Sequence, residues 1–113
     1  MRRAAPAVAL AAALLSCACS TAPQPCKDQS PGIARDRCYA DEIATLGPNQ
    51  RAEAQLAARA ISDPLIQSEA VIRWIGANAG SLQPPAGQEL CNLIDAADRD
   101  TCTRRLNSPH LQR

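Results

Sequence analysis

Four cysteines stand in two local pairs, Cys26 twelve residues before Cys38 and Cys91 eleven before Cys102. Little else in the chain could hold a small domain together. Its 113 residues include one Tyr, one Trp and no Phe. From Cys26 onward there are 18 large apolar residues, counting Ile, Leu, Val, Tyr and Trp, and alanine fills most of the other apolar places. A chain this small buries too little surface to be generously stable, and covalent staples are the usual remedy. Six cysteines in all point to an oxidising compartment. Zinc ligands come as close pairs with two to four residues between them, so gaps of eleven and ten residues argue for disulfides.

Spacing alone leaves three ways to join four cysteines. An internal repeat chooses among them. Ser30-Pro31 through Cys38-Tyr39 aligns with Asp63-Pro64 through Val71-Ile72, and both align with Ala96 to Thr103 around Cys102. Cys38, Val71 and Cys102 are 33 and 31 residues apart, a period suited to a helical hairpin. Arg35-Asp36-Arg37-Cys38 returns as Arg99-Asp100-Thr101-Cys102. In the outer two units a second cysteine stands upstream; in the middle unit Arg59 or Ala60 takes its place. The repeat therefore predicts Cys26–Cys38 and Cys91–Cys102, each bridge closing one hairpin.

Helix signals recur and strand signals do not. Ser30-Pro31 and Asp63-Pro64 each read as an N-cap followed by proline at the first helical position. From Pro64 to Ala79 the inward stripe is expected to hold Leu65, Ser68, Ile72, Ile75 and Ala79, widened by Val71 and Trp74. Glu69 and Arg73 lie on the opposite side as an i,i+4 pair. A helix from Asn49 to Ile61 turns Ala54, Ala57, Ala58 and Ile61 inward, and one after Ser30 uses Tyr39, Ile43 and Leu46. Gly47-Pro48 closes that helix, Gly80 stops the middle one, and Gln83-Pro84-Pro85-Ala86-Gly87 reads as a separator. The expected fold is all-α, a short stack of about three helical hairpins, α-solenoid-like or a small bundle, stapled by two disulfides over residues 26–107. The arrangement is similar to tetratricopeptide-type stacks in architecture only, because their signature residues are missing.

Arg2 and Arg3 precede an uncharged apolar run from Ala4 to Leu15. As a helix that run is about 18 Å long, too short for a hydrocarbon core of roughly 30 Å. It has the flanks of a secretory signal. Leu14-Leu15-Ser16-Cys17 at its end resembles the lipobox of bacterial lipoproteins. The resemblance implies a signal peptide over 1–16, diacylglycerol on the Cys17 thiol, and a lipidated N-terminus with an extended tether over 17–25. Cys19 fits less well, since Ser16 would then stand where the lipobox takes an aliphatic residue. Ordinary secretion with cleavage near Ala18 or Ala22 is the alternative. Losing Arg2 and Arg3 leaves ten basic against eleven acidic side chains, a net charge of −1, so acyl chains rather than electrostatics would hold the membrane. Ala18 lacks the Asp that the family's sorting rules link to inner-membrane retention, which implies the outer membrane facing the periplasm.

Catalytic and cofactor signals are thin. His110, the single histidine, lies in a tail expected to be flexible over 108–113, a poor mount for a general base. Asp95, Asp98 and Asp100 lack the calcium-loop form and suit a helix N-terminus instead. Arg104 and Arg105 suit a helix C-terminus. A net charge of +1 and two aromatics exclude a nucleic-acid surface. No enzyme activity, metal or cofactor is expected. The expected role is a non-enzymatic binding or assembly module for an envelope protein, with an inhibitor or immunity-type lipoprotein as the alternative. Trp74 is expected in the core; as an exposed side chain it would be a partner anchor.

Overall fold

Proline sets where two of the helices begin, and a glycine sets a third. The structure, a computed structural model, describes residues 24–108. Within them are five α-helices: α1 (Ile33–Ala44), α2 (Arg51–Ala60), α3 (Pro64–Asn78), α4 (Pro84–Cys91) and α5 (Ala96–Asn107). Three short 3-10 turns, Cys26–Asp28, Pro48–Gln50 and Ala79–Ser81, punctuate them, and there is no strand among the described residues. The lipobox residues, Cys17 and Cys19, and His110 lie outside the described residues.

Asp63 caps α3 as expected: its Oδ1 accepts from the N–H groups of Leu65 at 2.9 Å and Ile66 at 3.1 Å. Pro64 follows at a position whose N–H has no helical acceptor anyway. The matching Ser30-Pro31 does not start α1. That helix begins two residues later, after Gly32, whose φ of 152° is a backbone conformation that residues with a side chain rarely adopt. A second expectation is corrected at Gln83–Gly87. These residues do not separate elements, because Pro84 opens α4. Two prolines fit there since first-turn N–H groups are unpaired in any helix, and the N–H groups of Ala86 and Gly87 both reach the Gln83 carbonyl.

Three hydrogen bonds fix the relation of α1 to α3. Near the start of α1 the Asp36 carboxylate accepts from the N–H groups of Ser62 and Asp63, each at 3.0 Å, just ahead of α3. Just beyond the end of α1 the Leu46 carbonyl accepts from Trp74 Nε1 at 2.9 Å. The helices therefore run parallel, side by side. On the other side of α3 lies α5. The second layer is α2, against α1, and α4, antiparallel to α5, where Cys91 bonds Cys102 and Gln88 hydrogen-bonds Thr103. An Arg51–Glu89 ion pair at 3.1 Å links α2 to α4.

The three helices α1, α3 and α5 are the three aligned units of the repeat. Val71 and Cys102, matching positions in two of them, are both fully buried. Both disulfides form as the repeat predicts, with Cα–Cα separations of 5.6 Å. The core runs through all five helices, from Ile43 and Ala54 through Val71, Trp74 and Ile75 to Leu90 and Leu106. Only α3 packs against all four of the others. Its inward stripe differs from expectation at two places: Leu65 is 76% exposed, and Ile72 is only partly buried. Leu65, Glu69 and Arg73 recur every four residues and so share one face, which is the solvent face. On α2, Ala54, Ala57 and Ala58 turn inward with Ile61 just beyond, as expected, and their small size lets α2 lie close against α1.

Candidate functional site

The layer of parallel helices has one side covered by α2 and α4 and one side open. On the open side α1 and α3 both present alanines, Ala40 and Ala44 facing Ala70 and Ala77. Small side chains leave a cleft between the helices, about 360 Å³, with Trp74 behind it and Asn78 and Leu46 at one end. Trp74 is only 2% exposed. Its indole N–H is satisfied by Leu46, and Asn78 Nδ2 in turn donates to the Trp74 carbonyl at 2.9 Å. Trp74 is thus a core residue that backs the cleft, and the exposed-anchor alternative does not describe it.

Arg73 stands where this cleft meets two more. One, about 290 Å³, lies toward the N-terminal ends of α1 and α3 and is bordered by Arg37, Asp41, Ile66 and Glu69. The other, about 430 Å³, lies between α3 and α5 and is bordered by Ile72, Gly76 and Arg105. Arg73 lines all three, and its guanidinium pairs with Glu69 at 2.7 Å. Both side chains are about two-thirds exposed, so the pair contributes little to stability, and solvent already screens it. Its geometric effect is larger: it holds Arg73 over the junction. The face therefore offers an apolar, alanine-floored centre with arginines from three helices around it.

Sequence reasoning found the Glu69–Arg73 pair but took it only as helix support. Nothing local marks Arg73 as the junction of three clefts, because that depends on α1 and α5 lying on either side. Asp36 was legible as part of the Arg-Asp-x-Cys repeat, and its role was not. It is 2% exposed, and it binds the turn before α3. The matching Asp100 is exposed and no described helix follows α5 for it to bind. At the equivalent positions Arg35, Ser68 and Arg99, three residues before Cys38, Val71 and Cys102, a buried side-chain atom lacks a partner in each unit. That coincidence is a second mark of the repeat. Of the acidic trio, Asp95 precedes α5 and Asp98 lies in its first turn, although the Asp95 side chain makes no capping bond. Among the described residues no group of three or more His, Cys, Asp or Glu side chains is placed to hold a metal ion, and no helix is long and apolar enough to cross a membrane. Comparison with protein-family models, with curated proteins and with solved structures finds no match.

Proposed function

We propose that this chain is a lipid-anchored protein of a bacterial envelope, held at the outer membrane through Cys17, that acts as a non-enzymatic binding or assembly module for another envelope protein. The observation that carries the binding role is the open face of α1, α3 and α5, with its three adjoining clefts around Arg73. Helix stacks commonly bind partners on such extended faces. Arginine beside apolar clefts is a favoured composition at interface centres. The lipobox resemblance of Leu14-Leu15-Ser16-Cys17 supports the anchor.

A photo-crosslinking amino acid at Ala77, which is exposed and lines two of the clefts, tests the binding role in intact cells. A single crosslinked envelope protein, lost in Arg73→Glu, is the expected result. Absence of a discrete crosslink, or one indifferent to Arg73→Glu, would contradict it. Capture of a lytic enzyme would favour the inhibitor reading over the assembly reading.

A further inference from the structure

The three units are not covered alike. Ahead of α3 runs α2, ten residues ending at Ala60, and ahead of α5 runs α4, eight residues ending at Cys91. Ahead of α1 stands only the three-residue turn Cys26–Asp28, tied to α1 by Cys26–Cys38 as α4 is tied to α5 by Cys91–Cys102. The second layer thus has a place, on α1 and beside α2, that a helix ending at Cys26 would fill. A groove of about 500 Å³ lies at that place. Tyr39 and Glu42 line it from α1, Glu53 and Leu56 from α2, and Cys26 borders one end. Leu56 is 67% exposed, a large apolar side chain turned away from the core that Ala54, Ala57 and Ala58 enter.

We infer that this groove docks an amphipathic helix of a partner protein, two to three turns long, with an apolar stripe flanked by Lys or Arg. Its length follows from α4, which fills the equivalent place on α5, whereas α2 lies chiefly against α1. Its apolar stripe follows from Leu56 and Tyr39, which would meet anchors spaced i, i+3/i+4, i+7. Its charge follows from Glu42 and Glu53, one from each long wall, which outnumber the single Lys27 beside Cys26 at the groove's end. Neither carboxylate has a salt-bridge partner among the described residues, and complementary charge at a rim selects partner and orientation. No helix of this chain runs into Cys26, because Pro25, immediately before it, is extended (φ −54°, ψ 146°). The groove lies on a different side of α1 from the Arg73 face, so the inference goes beyond the binding role assigned to that face.

Two fluorescein-labelled helical peptides of about three turns, alike in their Leu/Ala stripe but flanked by Lys or by Glu, test this against purified residues 17–113 with Cys17 and Cys19 as serine. The Lys-flanked peptide should bind saturably in an anisotropy titration. Leu56→Glu should weaken it about tenfold or more with no loss of thermal stability, since Leu56 is exposed. Glu42→Lys with Glu53→Lys should reverse the preference toward the Glu-flanked peptide. Arg73→Glu should leave binding unchanged, which separates this groove from the open face. Absent binding, or binding indifferent to Leu56→Glu, would overturn the inference. Binding seen only after residues 17–23 are removed would also overturn it, by assigning the groove to the chain's own N-terminal segment.

Discussion

At Asp36 a carboxylate sits almost wholly inside the protein without a cation beside it. Burying such a group is costly unless it is hydrogen-bonded. Here two backbone N–H groups point at it from the turn that opens α3, where the helix dipole also favours negative charge. Asp36→Ala would strand both donors and should destabilise by about 1–3 kcal/mol in urea unfolding. Asp100→Ala, at the matching but exposed position, should stay within about 0.5 kcal/mol of the parent. Equal effects at the two positions would mean that Asp36 does not join α1 to α3. Trp74 offers a second test. Trp74→Phe keeps most of the ring but loses the bond to Leu46, an expected loss of about 0.5–1.5 kcal/mol; Trp74→Ala should cost about 3–5 kcal/mol. Both residues were visible in the sequence, Asp36 as a repeat mark and Trp74 as a core residue. Their bonds were not, because the partners lie 26, 27 and 28 residues away along the chain.

Among the elements, α4 shows most plainly where local signals mislead. Pro84, Pro85 and Gly87 lie close together, a composition that reads as a break. The prolines occupy the first turn, where they cost no hydrogen bond, and Gly87 serves packing rather than flexibility. A Cβ at Gly87 would overlap the Leu106 side chain of α5, itself buried. Gly87 therefore lets α4 lie close enough to α5 for the buried Cys91–Cys102 bond. Overpacking costs about 1–3 kcal/mol, against a helix-propensity gain of up to about 1 kcal/mol for alanine over glycine. Gly87→Ala should thus be destabilising on balance, by up to about 2 kcal/mol from those two terms. Combining it with Leu106→Val should cost less than the sum of the single changes in a double-mutant cycle. Additivity would place the two side chains out of contact. Helices α2 and α3 were far more legible, since apolar spacing and the Asp63-Pro64 cap agree there.

For the whole molecule, a two-layer stack with α3 at its centre makes the staples and the core unequal in a measurable way. Ile75 is fully buried and Ile72 only partly, so Ile75→Ala should cost about 2–5 kcal/mol and Ile72→Ala less. Each bridge closes a loop of about a dozen residues, worth roughly 3 kcal/mol in the chain-entropy model. Cys91 and Cys102 are both wholly buried, however, whereas Cys38 is part-exposed and Cys26 belongs to a three-residue turn. Replacing Cys91 and Cys102 with alanine should therefore lower the melting temperature more than replacing Cys26 and Cys38. The repeat conveyed the fold and both pairings because it depends on residue type at a fixed period. The open face and the groove were not legible, since each forms between helices brought together only by folding.

Anchoring at Cys17 is the claim on which the envelope role rests, and intact-mass analysis of the protein extracted from membranes with mild detergent tests it most directly. A mature chain beginning at Cys17 with added acyl mass is the expected result, and Cys17→Ser should leave the precursor uncut or the product mislocalised. An unlipidated chain beginning at Thr21 or Pro23 would contradict it.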